Sequence, residues 1–549
     1  MQTMDCLKLS RKVAPCQKYC PGGIDVPRYI RAIANGKFDE SLAVIREAIP
    51  FPSICGYACF APCEARCGKG QFDEPIAIRA LKRFVAEKGG TQWKEGIKKN
   101  PSSGKRVAII GAGPSGLTAG YLLALKGHEV TVFESRPEPG GMMRWAIPEY
   151  RLPSEIVRAE IKEITDAGVN ILTNSRVESI EELKKLGYHA VYIACGAQKS
   201  ASLGIPGDSL SGVIGAIEFL ESVKSGKAIQ VGERVCVIGG GNAAIDAART
   251  AVRMGAKEVK IFYRRTRNEM PAYPDEIDAA IEEGVKIVFL SAPSAIEQQG
   301  DALKVTFDCM ELGPPDESGR PKPVCKYGFD YSELFDTVIS AIGQEVVLQD
   351  DFGISRKGNG RINVDPFNLA TDMEGVFAGG DVVLGPASII EAIGHGKRAA
   401  SFIDSYLGGD GDIALRLVPE ETDLNMSFYP EVSSPRVEIP NTPVGVRINN
   451  FDIVEKTLNP YLARKESDRC LWCDYRHFNV EVDFDACKEC GYCISVCEMD
   501  VFVQGSRFNA KGYRPVEVRN PQNCVGCKKC FYNCPDFCIE IKVAEGEKV

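Results

Sequence analysis

The stretch DACKECGYCISVCEMD, residues 485–500, crowds four cysteines together. Cys487, Cys490, Cys493 and Cys497 follow the spacing C-x2-C-x2-C-x3-C, and Cys524, Cys527, Cys530 and Cys534 repeat it before Pro535. Such a run suits iron: a close trio wraps three corners of an iron–sulfur cube, and the fourth thiol, displaced along the chain, reaches the other cube. The ligand sets therefore cross. One cube takes Cys487, Cys490, Cys493 and Cys534, the other Cys524, Cys527, Cys530 and Cys497. Two zinc ribbons would call for ligands in separated pairs, which runs of four do not offer.

A second chemistry sits in the middle of the chain. KRVAIIGAGPSGLTAGYLLALKGHEVTVFE, residues 105–134, reads as an apolar strand, a glycine turn, a helix and a second strand ending in an acid. Gly111 makes the tight turn, Gly113 lets backbone approach a pyrophosphate, Gly116 lets helix pack on strand, and Glu134 is placed for a ribose diol. RVCVIGGGNAAIDAARTAVRMGAKEVKIFYRR, residues 234–265, repeats the turn with Gly239, Gly241 and Ala244, followed in its helix by Asn242. Its second strand ends in Tyr263, Arg264 and Arg265 instead of a carboxylate. Arginines fork onto a 2′-phosphate that an acid would repel, so this site leans to NADP over NAD.

The elements that must hold these residues follow from the wider chain. Of 22 cysteines in 549 residues, seven lie in residues 1–67, eleven in 470–538 and four between, giving two thiol-rich ends around a thiol-poor middle. That density is below a disulfide-stapled domain, and so long a chain has no need of staples. The first residues lack a signal-peptide apolar core and no stretch is apolar enough to span a bilayer, which points to a reducing, cytoplasmic setting. A net charge of −8 and pI near 5.5 argue against nucleic acid as partner. Length and 54 glycines suggest several domains with many tight turns.

Residues 480–542 resemble the bacterial two-cluster [4Fe-4S] ferredoxin, with Glu498 where that family usually has proline and with an insert, VFVQGSRFNAKGYRPVEVRN, that reads as a hairpin. Residues 14–410 resemble the small subunit of NADPH-dependent glutamate synthase and the matching parts of dihydropyrimidine dehydrogenase and of the large subunit of NADH-dependent reduced-ferredoxin:NADP oxidoreductase. The segments that carry this are the two glycine turns, GGMMRWAIPEYRLP (140–153, with Gly141), YRRTRNEMPA (263–272), TDMEGVFAGGDVVLGPASIIEAIGHGKRAA (371–400) and the N-terminal cysteines. The resemblance implies FAD in the first fold and NADPH or NADH in the second. It places Asp381 at the ribityl and pyrophosphate region, approached closely through Gly379 and Gly380, and aims the helix starting near Ala387 and Ser388 at the flavin ring. It assigns Cys6, Cys16 and Cys67 to one N-terminal [4Fe-4S] cluster and Cys20, Cys59 and Cys63 to another. Both sets are incomplete. Leu9 stands where relatives have a ligand, and Lys82 where one uses glutamine, so Cys55, Glu64 or Asp73 fills a gap, or a single cluster forms.

Several thiols stay open. Cys470 and Cys473, in DRCLWCDY, are either ligands of a further metal group or unligated; Cys538 reads as core. Cys195, Cys236, Cys309 and Cys325 are isolated in sequence, which argues against a disulfide reductase; Cys195 and Cys236 read as inert buried thiols. His395 either neighbours the flavin or packs.

The expected architecture is multidomain α/β: a helical N-terminal Fe-S domain (1–100), a discontinuous FAD-binding domain (101–205 and 340–410), an NAD(P)-binding domain (206–339) nested within it, a linker (411–465) and a ferredoxin-like α+β domain (466–549). Nicotinamide moves electrons in pairs, cubes move them singly, and flavin mediates. The expected activity is NAD(P)H:acceptor oxidation by a subunit of a hetero-oligomeric redox complex in an anaerobe, exchanging electrons with ferredoxin or a catalytic partner. A glutamate synthase small subunit and a relay subunit without nucleotide turnover are the alternatives. No residue stands out as an acid–base catalyst, and hydride transfer needs none.

Overall fold

Runs such as Val107–Ile110 and Val235–Ile238 are apolar at every position, as parallel strands covered on both faces require. The computed structural model describes residues 11–71, 73–316, 319–348, 352–419, 421, 434–475 and 478–543. Cys6 and Leu9 lie outside them, as do residues 420 and 422–433 of the expected linker. The chain divides into two bodies: residues 98–413 with 440–456, and residues 1–97 with 414–439 and 457–549.

The first body holds two five-stranded parallel sheets. One runs in the order Val376–Ala378, Ala190–Ile193, Arg106–Ile110, Glu129–Phe133, Asn170–Leu172. The other runs Val213–Gly215, Thr337–Ser340, Arg234–Ile238, Glu258–Tyr263, Lys286–Phe289. All neighbours within each sheet are parallel. The first sheet's edge strand, Val376–Ala378, follows the whole second sheet in sequence, so the second fold is an insertion in the first. A three-stranded antiparallel sheet, Ser291–Gln299, Ala302–Pro315 and Pro321–Phe335, extends from the second fold.

Helices Pro114–Leu125 and Asn242–Arg253 follow the central strands, and both are rich in buried small residues that let helix backbone lie close to sheet. Each fully buried Ile or Val in these strands contributes about 1.5–3 kcal/mol through removal from water. A buried charge network fastens the inserted fold. Arg151 contacts both Asp246 oxygens at 2.7 and 2.8 Å, Tyr150 lies beneath the guanidinium groups of Arg249 and Arg253, and Glu283 accepts bonds from Arg249, Arg253 and Arg447. Although burial opposes its charge, the arginine bonds hold the Glu283 carboxyl down to about 2.

The second body begins with helices Val26–Ala34, Phe38–Ala48, Pro52–Ala58 and Ile78–Lys88, packed around Tyr29, Ile45, Phe51 and Phe84. Glu47 accepts the N–H groups of Leu417 and Val418, which docks the following segment onto these helices. Helix Pro460–Asp468, capped by Asn459, leads into the cysteine-rich tail. There Phe478–Val482 pairs with Ile539–Val543, and the insert expected to be a hairpin pairs Phe502–Gln504 with Val516–Val518, both antiparallel.

Candidate nucleotide sites and thiol clusters

Each glycine turn is set by its backbone. Gly111, at φ 106°, donates to the Phe133 carbonyl at 2.8 Å; Gly239, at φ 140°, donates to the Phe262 carbonyl at 3.0 Å. A Cβ on Gly111 would lie 2.6 Å from the Ala194 oxygen, and one on Gly239 2.3 Å from the Ala341 oxygen, so only glycine fits either place. Gly116 would strike the Gly111 carbonyl at 2.1 Å, which is the close helix-on-strand packing read from its spacing. Ala244 is fully buried in the equivalent place.

Gly113 differs: a Cβ there would meet nothing within 4 Å. It opens helix Pro114–Leu125 without a capping side chain, leaving first-turn N–H groups for an anion. The cradle therefore fits a pyrophosphate. Gly141, at φ 53°, crosses this turn, with its Cβ position 2.9 Å from the Gly113 Cα, and Gly380, at φ 72°, approaches Ser115. Glu134, 4% exposed, accepts the N–H of Ala112 at 2.9 Å and of Arg136 at 2.9 Å. Burial pushes the Asp381 carboxyl up to about 7, against a bond from the Ala387 N–H that lowers it. Ser388 and Glu391 form a capping box at the start of helix Ile389–Tyr406.

In the second fold Gly241 meets only Pro271, at 3.9 Å, and opens helix Asn242–Arg253; the Asn242 amide oxygen accepts the Tyr273 N–H. The two arginines part company. Arg264 is exposed, whereas Arg265 is 3% exposed and donates to Asp316 at 2.5 Å and to the Pro321 carbonyl at 2.7 Å. Arg265 thus holds the strand hairpin, and Arg264 is the cation left facing solvent at this strand end.

His395 escaped a firm reading in sequence, yet its Nδ1 accepts the Gly380 N–H at 3.3 Å and its Nε2 lies 3.0 Å from Arg398. Burial, then Arg398, lowers it to about 4, so it is a neutral ring beside the glycine turn. Tyr192, bonded to Ser115 at 2.7 Å, and Lys224, donating to the carbonyls of Met143, Ile147 and Leu152, were not legible beforehand; each partner is remote in sequence. The hairpin also brings Cys309 and Cys325 onto adjoining strands, although they are isolated in sequence.

In the tail, Cys487, Cys490, Cys493 and Cys534 line one pocket, together with Cys538, whose sulfur is 3.4 Å from that of Cys534. Burial, then Cys490, Cys487 and Cys534, pushes the Cys493 thiol up to about 11. Burial, then Cys497, Cys527 and Cys524, pushes Cys530 to about 12. The structure so brings together the two crossed quartets. Soft thiols in fours suit an iron–sulfur cube. Glu498, the departure from the ferredoxin pattern, accepts from Arg66 through its carbonyl at 2.7 Å and from Gln71 through its carboxylate at 3.2 Å.

The N-terminal thiols fall into two groups. Cys20, Cys55, Cys59 and Cys63 surround Lys82, itself 2% exposed; burial works against the ammonium, but the four sulfurs hold its pKa above the ordinary lysine value. Burial pushes Cys16 far up, and Cys67, Cys473, Cys470 and Cys63 add to the effect. Cys16 and Cys67 are thus neighbours of the pair that sequence left open.

Two nested nucleotide folds and thiol quartets in one chain define a flavin- and pyridine-nucleotide-dependent iron–sulfur oxidoreductase. The chain belongs to the pyridine nucleotide-disulphide oxidoreductase family, whose sequence model matches residues 105–396. Residues 2–93 match the dihydropyrimidine dehydrogenase domain II, 4Fe-4S cluster, and residues 486–538 the 4Fe-4S dicluster domain. Relatives include the NADP(+)-dependent formate dehydrogenase subunit beta of Moorella thermoacetica, 40% identical over 84% of this chain and 70% of that one. The NADPH-Fe(3+) oxidoreductase subunit beta of Geobacter sulfurreducens is 35% identical over 85% and 76%. The glutamate synthase [NADPH] small chain of Azospirillum brasilense is 31% identical over 74% and 89%. Among the described residues no helix is long and apolar enough to cross a membrane.

Proposed function

We propose that this chain is the flavin-bearing subunit of a larger redox complex, exchanging electrons between NADPH or NADH and either ferredoxin or a low-potential catalytic partner subunit. When bound, the nicotinamide supplies a hydride, FAD takes the pair, and the cubes carry single electrons onward. The observation that carries this is the pairing, in one body, of two like glycine turns with opposite partners: buried Glu134 in the first and exposed Arg264 in the second.

In this reading Gly111, Gly113, Gly116 and Gly141 admit the FAD pyrophosphate, Glu134 its ribose, and Gly380, Asp381 and Ser388 flank its ribityl chain and ring. Gly239, Gly241, Asn242 and Ala244 shape the nicotinamide nucleotide turn, and Arg264 faces the 2′-phosphate. The crossed tail quartets hold two [4Fe-4S] clusters; Cys20, Cys59 and Cys63, and separately Cys16 and Cys67, contribute to N-terminal clusters. The domain limits given above divide the chain accordingly, and thiols kept for iron support a reducing compartment, which we take to be the cytoplasm. Relatives named as beta subunits or small chains support a protein partner.

The test is an anaerobic titration of the purified chain with NADPH and, separately, NADH. Flavin bleaching followed by cluster bleaching supports the reading, with NADPH effective at lower concentration. A chain that contains flavin and iron but responds to neither nucleotide is a relay, and the proposal fails. Anaerobic copurification then identifies the partner.

A further inference from the structure

We propose that Cys470 and Cys473 complete an iron–sulfur site with Cys16 and Cys67, so that the segment entering the tail supplies half the ligands of an N-terminal cube. This rests on the reading of the chain as a cluster protein.

The four thiols come from three segments of the chain. Cys16 lies in the short helix Pro15–Lys18, Cys67 follows helix Pro62–Ala65, and Cys470 and Cys473 follow helix Pro460–Asp468. Cys16, Cys67 and Cys470 are each under 10% exposed. A Cβ on Gly68 would sit 3.0 Å from the Cys473 sulfur, so the loop carrying Cys67 runs directly against that thiol. Cys67 also acts on Cys470: burial, opposed by the Trp472 N–H, pushes Cys470 up to about 12, and Cys67 adds to it. Four thiols are what a cube requires, and each gives up its proton on ligation.

The backbone gives independent support. Trp472, third in C-L-W-C, has φ 51°, a left-handed conformation that a bulky residue rarely adopts. The same position is left-handed in both cluster loops of the tail: Glu489 in C-K-E-C at φ 59° and Gly526 in C-V-G-C at φ 73°. The likeness reaches the sulfur, since the Gly526 N–H bonds Cys524 as the Trp472 N–H bonds Cys470. The 470–473 loop therefore has the form of the loops that lead each tail quartet.

Protein contacts also hold this loop. Arg31, 1% exposed, forks onto Asp474 with both bonds at 2.8 Å and lies over the rings of Tyr475 and Trp472. The Lys12 N–H donates to the Asp474 carbonyl at 2.8 Å, and Arg469 donates to the Glu74 carbonyl at 2.8 Å. These bonds tie residues 469–474 to the segments that carry Cys16 and Cys67. The Cβ position of Gly68 is also 2.9 Å from Val525, the neighbour of Cys524, which sets the proposed cube beside the quartet of Cys524, Cys527, Cys530 and Cys497.

The experiment compares iron, acid-labile sulfide and low-temperature EPR of the dithionite-reduced full chain, purified anaerobically, for wild type, Cys470→Ser/Cys473→Ser, Cys473→Ser alone and Cys6→Ser. The double variant is expected to lose about four irons and four sulfides, one cube, while the tail-cluster signals and bound flavin persist. Cys473→Ser, a milder change at a half-buried thiol, is expected to lose the same cube or shed a single iron from it. Cys6→Ser is expected to change nothing. Full iron in the double variant, or loss of a cube from Cys6→Ser, overturns the proposal. Wild type that carries zinc in place of iron instead overturns the cluster reading on which it rests.

Discussion

The two glycine turns of the nucleotide-binding body share a design down to single bonds. In each the first glycine donates to the end of the neighbouring strand, and the carbonyl of the second residue accepts from a distant loop, Ala112 from Gly140 and Gly240 from Ala272. They differ in what covers them. The first is crossed by Gly141, approached by Gly380 and roofed by helix Ile389–Tyr406, where a Cβ on Gly396 would lie 2.3 Å from the Ser115 carbonyl. The second leaves Gly241 open save for Pro271. One motif is thus enclosed in two ways; under the proposed function the covered turn suits a retained nucleotide and the open turn an exchanging one.

Substitutions at the turns should separate these roles. Gly111→Ala combines a left-handed φ with a clash against the Ala194 carbonyl and should cost about 2–5 kcal/mol; thermal unfolding and flavin absorbance per chain should both fall. Gly113→Ala, which meets no protein atom, should lower flavin content while leaving the unfolding temperature of flavin-stripped protein unchanged. Equal loss of stability in both variants would mean that Gly113 is structural.

A pH dependence comes next in size. The Asp381 carboxyl, about 7 when folded against 3.8 for the free side chain, binds its proton more tightly in the folded state. Its contribution is fully present below about pH 4 and is lost as pH rises through about 7, a change of up to about 4 kcal/mol. Unfolding of flavin-stripped protein across that window should show the loss, and Asp381→Asn should flatten it. A curve of the same shape in the variant would assign the effect to another group.

At the open turn, Arg264→Glu should raise KM for NADPH about 10- to 100-fold, in keeping with about 1.5–3 kcal/mol for a charge-assisted hydrogen bond, with kcat and flavin content unchanged and NADH use unaffected. The smallest effect is expected from Arg265→Gln. Its guanidinium is engaged by Asp316 and Pro321, so steady-state kinetics with NADPH should shift KM by less than about threefold. A larger shift than that of Arg264→Glu would reverse the assignment.

How much of this was legible beforehand depended on how local the cause was. The turns, their helices and the tail quartets are encoded within some thirty residues each, and periodicity and spacing expose them. Nesting was legible through the family resemblance, in which TDMEGVFAGGD closes the first fold after the second. Arg264 and Arg265 looked alike in sequence; Asp316, which tells them apart, lies some fifty residues away on a hairpin loop. The N-terminal thiols were harder still. Cys16 and Cys67 meet Cys470 and Cys473 across some four hundred residues of chain, and no spacing rule reaches so far. Arg31 gave no hint at all, since a helical arginine reads as solvent-facing until Asp474 is seen behind it.

The bonds from Arg31 and Lys12 to Asp474 bear on how such a chain is inherited. Ferredoxin-like tails are portable modules when they stand alone, and a gene can acquire, shed or trade one at little cost. Here the two extremities of the polypeptide are stitched into a common body, so recombination that replaced either end with a cousin's would break matched charges at the other. Natural variants of this protein should therefore keep or change position 31 and position 474 together.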